Sequence, residues 1–163
     1  MSGAAVIKLS IPGRLQYCDV ARRVVMESCR LLAVPDQQAS GPSDADKPPA
    51  SNLSDRYEFE DRFTIEFISA FSEIFNNIAL HAYEGDGVGT IDFTIQVGQD
   101  RLSIEIEDTG KTFDIEAVPL PDELPTGGMG IFIARTMLDE LEYHPGPPNR
   151  WRLTKHLRPQ HRG

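Results

Sequence analysis

Residues 67–83, FISAFSEIFNNIALHAY, decide how the rest of the chain is interpreted. Apolar residues recur there at offsets of four, three and four, which predicts a helix with one buried side. These residues are Phe67, Phe71, Ile74 and Ile78. Glu73 and Asn77 lie four residues apart, so they project from one flank of that helix. An acid and an amide at this spacing can share a hard cation and orient a proton acceptor, but a solvated helix face can also carry them.

The composition indicates one acidic, globular domain. With 163 residues and 40% hydrophobic content, the chain can bury a substantial core. No apolar run reaches the roughly 20 residues that span a bilayer, and the N-terminus lacks a secretory pattern, so a cytoplasmic protein with no membrane partner is expected. The formal charge of -9 would repel a nucleic-acid backbone, which disfavours a nucleic-acid partner.

The first part of the chain predicts a strand, a helix and an insertion. Residues 6–11 alternate apolar and polar side chains before a Pro-Gly pair, which is typical of a short strand. Residues 16–32 predict a helix. Its apolar side is expected to hold Tyr17, Val20, Val24 and Leu31. Residues 34–55 are rich in Pro, Ser, Asp and Gly and predict a flexible surface insertion.

Two segments in the middle of the chain, residues 91–97 and 102–106, alternate with a period of two. Their apolar positions are Ile91, Phe93, Ile95, Val97, Leu102, Ile104 and Ile106. Residues 98–100 predict the hairpin that joins them. An antiparallel pair with one apolar face needs helices on only one side. The expected fold is therefore an α/β two-layer sandwich with a mixed, mostly antiparallel sheet and helices on one face.

Asp108 is an anomaly at the end of the second of these segments. Its parity places it on the same face as the apolar residues, so a carboxylate points towards the helix layer. Burying a carboxylate without partners is costly, so some group must donate hydrogen bonds to it. Asp108 either caps the turn at Thr109 and Gly110 or receives a ligand.

A long connection and a glycine cluster follow. Residues 111–126 contain three prolines and little periodicity, which is typical of a lid or binding loop. The cluster consists of Thr126, Gly127, Gly128, Met129 and Gly130. It precedes a predicted helix over residues 131–141, and glycines there can let backbone amides approach phosphate oxygens or can simply break a loop. Residues 151–157 predict a last strand, and residues 158–163 a frayed tail.

These signals, in this order, resemble the GHKL ATP-binding superfamily, whose Bergerat fold carries an N-box, a D-x-G box and a glycine-rich box. The resemblance is carried by EIFNNIALHAY (73–83), DTGKTFD (108–114), GGMGIFIARTMLDELEY (127–143) and NRWRLTK (149–155). The spacing is most similar to the anti-sigma factor serine/threonine kinases of the RsbW and SpoIIAB type. Residues 1–157 are then expected to form a single ATP-binding domain.

The resemblance implies a role for each matched residue. Glu73 would be the general base and Asn77 the ligand of Mg²⁺. Asp108 would accept a hydrogen bond from the adenine amino group of ATP, and Gly110 would let the backbone lie close to the base. The glycine cluster would bring amides to the phosphates, with Thr126 standing where some relatives have a basic residue.

The resemblance also implies an activity and partners. The protein would transfer the γ-phosphate of ATP to a serine or threonine of an anti-anti-sigma (STAS) protein, and would sequester a sigma factor. Arg22 would contact that sigma factor, and a homodimer is implied. The alternative is a nucleotide-gated binding module with little or no kinase activity. His81 is expected to pack or to end the helix rather than to act as a catalyst.

Overall fold

The computed structural model describes residues 4–32, 62–83, 89–115 and 129–157. The strands within them are β1 (Ala5–Pro12), β2 (Thr90–Val97), β3 (Arg101–Asp108), β4 (Glu140–His144) and β5 (Asn149–His156). The helices are α1 (Cys18–Leu32), α2 (Arg62–Asn77) and α3 (Met129–Met137), with a short π-helical turn at Ile78–Ala82. The predicted insertion and tail lie outside these residues.

The five strands form one sheet in the order β1-β2-β3-β5-β4. Every ladder between the described strands is antiparallel, so the expected two-layer sandwich is confirmed with a sheet that is antiparallel there rather than mixed. The register pairs Asp108, the last residue of β3, with Asn149, the first residue of β5.

The core lies between the sheet and α2. Four phenylalanines spaced four residues apart line one side of this helix: Phe63, Phe67, Phe71 and Phe75. Phe71 and Phe75 contact Phe93 of β2, with ring centroids 5.7 and 6.3 Å apart. All of the apolar positions predicted on α2, β2 and β3 are buried, because the helical and two-residue periods both aim them at the same interface.

The inner face of α1 differs in part from the prediction, although Val24 and the preceding Tyr17 pack against the core as expected. Its buried residues are Ala21, Val25, Ser28, Cys29 and Leu32. Val20 and Leu31, which were expected to face inward, are 49% and 52% exposed. The prediction followed the bulkiest apolar residues, whereas the helix buries mainly small side chains. Ser28 is accommodated because its hydroxyl donates to the Val24 carbonyl at 2.8 Å.

The helix predicted over residues 131–141 ends at Met137, and the prediction of its last turn is wrong. The chain turns because Asp139 N donates to the Thr154 carbonyl at 3.1 Å, which starts the pairing of β4 with β5. Leu141 therefore lies in a strand. The signal was a period of two in ELEYH, residues 140–144, where Leu141 and Tyr143 face the core and alternate with exposed polar residues.

An ion network, called here the ionic end, ties together the side of the sandwich where α2 begins. Lys155 Nζ lies 2.7 Å from Glu66 Oε2 and donates to the Met137 carbonyl at the end of α3 at 2.6 Å. Arg62 Nε lies 2.6 Å from Glu66 Oε1. Burial alone would raise the pKa of Glu66, but the hydrogen bonds and charges of Arg62 and Lys155 lower it below its usual value.

Among the described residues, each helix is too short or too polar to cross a bilayer.

Candidate functional site

The end of α2 delivers the first two candidate residues. Glu73 and Asn77 are both half-buried on one flank of the helix. Directly after Asn77 the helix widens into the π turn Ile78–Ala82. Such turns are rare, and they change the direction of the side chains that follow. The turn contributes His81 and Ala82 to the cleft described next.

A cleft lies between this turn and the adjoining ends of the sheet. It is lined by Asn77, Ile78, His81, Ala82, Asp108, Lys111, Thr112, Phe113, Tyr143 and Trp151. The π turn forms one wall, and the end of β3 with the loop after it forms another. Asn77 and Asp108 therefore face one cavity, although they are far apart in the sequence.

Asp108 is the buried carboxylate of the cleft, with 2% of its surface exposed. Its Oδ1 accepts hydrogen bonds from Gly110 N at 2.9 Å and from Asn149 Nδ2 at 3.0 Å. Burial raises the pKa of Asp108, and these two hydrogen bonds oppose the rise. Within the described residues both donors use Oδ1, so Oδ2 is the oxygen available to a ligand. Asp108 thus caps its turn and also lines the cleft.

Gly110 allows the loop after β3 to lie against the π turn. A Cβ at this position would lie 2.5 Å from both the Cβ and the carbonyl oxygen of Ala82. Lys111 N donates to the same carbonyl at 2.9 Å. Any side chain at Gly110 would separate the two walls, so glycine is required here for close approach.

Asn149 is a residue of the site that the sequence did not reveal. It is 1% exposed. Its Nδ2 donates to Asp108 Oδ1 at 3.0 Å, to the Gly110 carbonyl at 3.0 Å and to the Lys111 carbonyl at 3.3 Å. Its Oδ1 accepts from Gly146 N at 3.2 Å. The signals in the sequence were a polar residue just before the predicted strand and its place at the start of NRWRLTK (149–155), and neither gave it a role.

Three aromatic residues form the apolar part of the cleft. The rings of Tyr143 and Trp151, opposite each other on β4 and β5, have centroids 4.3 Å apart. The ring centroid of Phe113 lies 5.9 Å from that of Trp151. The backbone N–H of Phe113 donates to the Tyr143 hydroxyl at 2.8 Å. Burial raises the pKa of Tyr143. Such a surface can pack against a flat ring system.

Tyr83 holds the turns around the cleft together. Its hydroxyl donates to the Thr90 carbonyl at 2.8 Å and accepts from Thr109 N at 3.2 Å. It therefore links the end of the π turn to the start of β2 and to the residue after Asp108. His81, by contrast, is exposed in the last turn before Tyr83 and lines the cleft. Of the two roles expected for it, packing is therefore wrong, and a role at the helix end stays a prediction.

The first turn of α3 lies against Glu73. A Cβ at Gly130 would lie 2.5 Å from Glu73 Oε2. Met129 begins the helix and is 50% exposed. Backbone amides in the first turn of a helix have no partner within the helix, and in α3 this turn lies beside the Glu73 carboxylate. Thr126, Gly127 and Gly128 lie outside the described residues.

Arg22 lies away from the cleft, on the exposed side of α1. Its Nη1 is 3.3 Å from Asp19 Oδ1, and both side chains are largely exposed. A surface pair of this kind contributes little to stability. The structure therefore brings Asn77 and Asp108 into one cleft and Glu73 beside Gly130, and it leaves Arg22 on a separate surface.

The sandwich with this cleft is the architecture of an ATPase domain family. Residues 11–155 match the family described as Histidine kinase-like ATPase domain, and the chain belongs to this family. The sequence is also similar to the Serine-protein kinase RsbW of Staphylococcus aureus, with 30% identity over 100 residues, which are 55% of this chain and 63% of that protein.

A second relative and one solved structure were also found. The Serine-protein kinase RsbW of Bacillus licheniformis is 33% identical over 82 residues, which are 44% of this chain and 51% of that protein. The matched part thus spans between about half and two thirds of these relatives. A solved histidine kinase domain from the Erythrobacter litoralis EL346 blue-light activated histidine kinase has 19% identity and a TM-score of 0.47, covering 85% of this chain and 74% of that chain. The assignment rests on the family match.

Proposed function

We propose that this protein is an ATP-dependent serine/threonine kinase that phosphorylates an anti-anti-sigma (STAS) protein and sequesters a sigma factor. The supporting observation is that Asn77 and Asp108 line one cleft while Glu73 lies against the first turn of α3. The family and the name Serine-protein kinase of its relatives support the same activity. Arg22 is the proposed contact for the sigma factor.

The cleft fits an adenine nucleotide. Asp108 Oδ2 can accept a hydrogen bond from the exocyclic amino group of adenine, whereas the carbonyl of guanine at that position would repel a carboxylate. Phe113, Tyr143 and Trp151 offer planar apolar surface to the ring system. Gly110 keeps the walls close enough for these contacts to form together.

The phosphate end of the nucleotide is assigned to the helix ends. Asn77 offers a side-chain amide oxygen, which fits Mg²⁺ because that ion prefers oxygen ligands and takes others from phosphates and water. When bound, the ion would neutralise charge on the phosphates. The amides at the start of α3, including that of Gly130, would donate to phosphate oxygens, and Thr126, Gly127 and Gly128 are assigned to the same task.

Glu73 is the proposed general base. Its carboxylate would accept the proton of a serine or threonine hydroxyl as that oxygen attacks the γ-phosphorus. A new O–P bond forms on the partner, the bond from the γ-phosphorus to the bridging oxygen breaks, and ADP leaves with the electron pair. The assignment is supported by the half-buried position of Glu73 beside the start of α3, where the γ-phosphate is proposed to bind.

The substitution Glu73→Gln tests this assignment. It keeps the shape of the side chain and removes its basicity, so transfer of labelled phosphate from ATP to the cognate STAS protein should fall by about 10²–10⁴-fold. ATP affinity should stay within a factor of about two or three, because the base acts on the hydroxyl and not on the nucleotide. Glu140→Gln, on exposed β4, is the matched control.

The outcomes separate the two candidate functions. Normal transfer by Glu73→Gln would remove the base assignment. A wild-type protein that binds ATP and retains its partner in a nucleotide-dependent manner, but transfers no phosphate, would be a nucleotide-gated binding module instead.

A further inference from the structure

The side chain of Asn149, the first residue of β5, takes part in four hydrogen bonds. It faces Asp108 directly across the β3–β5 ladder, and its side-chain amide reaches the carboxylate and the carbonyls of Gly110 and Lys111. Those three acceptors belong to residues 108–111, the segment that brings the Asp108 carboxylate to the cleft. One side chain from a different strand therefore fixes the whole segment.

The orientation of this amide is determined by its surroundings. Three acceptors lie around Nδ2, and a backbone donor, Gly146 N, lies 3.2 Å from Oδ1. The opposite orientation would bring the amide oxygen against a carboxylate and two carbonyls. The two N–H bonds of Nδ2 are shared among the three acceptors, so Asn149 has no donor left for a ligand.

We propose that Asn149 is a positioning residue for nucleotide recognition: it occupies Asp108 Oδ1 and so reserves Oδ2 for the amino group of the base. This inference rests on the proposed function, because it concerns the same cleft. Asn149 acts through Asp108 and does not touch the nucleotide itself.

Asn149 affects the charge of Asp108 as well as its geometry. Asp108 must be ionised to accept a hydrogen bond at either oxygen without competition from its own proton. The hydrogen bonds from Asn149 and Gly110 lower the pKa of Asp108 against the rise caused by burial. Without the Asn149 donor, Asp108 would take up a proton at higher pH, and the nucleotide would then lose its acceptor.

Two substitutions test this role. Asn149→Ala removes the donor. Asn149→Asp replaces it with a second carboxylate in hydrogen-bond contact with the first, so that the pair binds a shared proton at higher pH than Asp108 does in the wild type. Gln96→Ala and Gln96→Glu, at an exposed amide on β2, are the matched controls. Mg²⁺-ATP binding can be followed by the fluorescence of Trp151, the single tryptophan of the chain, which lines the cleft.

Both Asn149 variants should bind Mg²⁺-ATP about tenfold or more weakly at neutral pH. The pH below which affinity falls should also move upwards relative to wild type, and the Gln96 variants should match wild type. A folded variant whose affinity is unchanged, or whose affinity falls equally at all pH values, would overturn the proposal. Circular dichroism reports folding. If Asn149→Asp does not fold, the affinity of Asn149→Ala alone tests the proposal.

A separate measurement distinguishes failure of this inference from failure of the proposed function. The carboxyl carbon of Asp108 can be titrated by NMR in the free protein. If wild type binds no ATP, the proposed function fails. The hydrogen-bonding action of Asn149 on Asp108 is still supported in that case if Asn149→Ala raises the pKa of Asp108, and it is refuted if that pKa is unchanged.

Discussion

The two ends of the sandwich treat a carboxylate in opposite ways. At the ionic end, Glu66 contacts two cations, Arg62 and Lys155. The cleft lies at the other end of α2, because Asn77 is about 16 Å along the helix from Glu66. There Asp108 is more deeply buried than Glu66, and within the described residues its donors are the neutral amides of Gly110 and Asn149. The pKa of Glu66 is lowered, whereas that of Asp108 is raised.

This difference indicates what each end is for. A carboxylate with matched cations stabilises the folded state, whereas a buried carboxylate with only neutral donors costs stability at neutral pH. The ionic end joins the start of α2, the end of α3 and β5, and so holds the helices on the sheet. The cleft retains an unfavourable charge, as is common where a protein binds a ligand.

The largest expected effect concerns Lys155, which connects three parts of the ionic end. Lys155→Met keeps the aliphatic stem but leaves Glu66 without one cation and the Met137 carbonyl without its donor. The free energy of unfolding should fall by about 2–4 kcal/mol, measured by urea denaturation. Lys8→Met, on exposed β1, should change it by less than about 0.5 kcal/mol. A loss for Lys155→Met as small as that of the control would contradict a supporting role for this end.

A smaller effect is expected when each carboxylate is neutralised in place. Glu66→Gln should lower the free energy of unfolding at neutral pH by about 1–2 kcal/mol, because it loses charged hydrogen bonds to Arg62 and Lys155. Asp108→Asn should leave it unchanged or raise it by up to about 1 kcal/mol, because an uncompensated buried charge is removed. Equal losses in both variants would remove the distinction between the two ends.

The pH dependence should follow from the same pair of variants. The lowered pKa of Glu66 means that its contribution is present above about pH 4.5, its usual pKa, and is lost as the pH falls through the folded-state value. The raised pKa of Asp108 has the opposite sign: its cost is absent below pH 3.8 and appears as the pH rises through the folded-state value. In acid, the free energy of unfolding of each variant should therefore approach the wild-type value. Glu66→Gln should approach it from below, and Asp108→Asn from above.

The sequence predicted the elements that depend on local periods. The apolar stripe of α2 and the alternation of β2 and β3 were sufficient to place the core. The same alternation also indicated that Asp108 points inward. These predictions succeed because one period relates each residue to a single interface, whatever the order of the strands.

The remaining features depend on contacts between distant segments. The hydrogen bond from Asn149 to Asp108 joins residues 41 positions apart, and it requires the β3–β5 register, which no local period specifies. Leu141 was placed in a helix because ELEYH follows a helical pattern without a clear stop signal. Pairing with β5 made this segment a strand and brought Tyr143 beside Trp151.

The central claim is that the cleft containing Asp108 binds Mg²⁺-ATP through that carboxylate, and calorimetry on three proteins tests it most directly. Wild type should bind one Mg²⁺-ATP, Asp108→Asn should bind about tenfold or more weakly although it is no less stable, and Glu66→Gln should bind as wild type does although it is less stable. Absence of binding in wild type, or equal affinity in wild type and Asp108→Asn, would contradict the account.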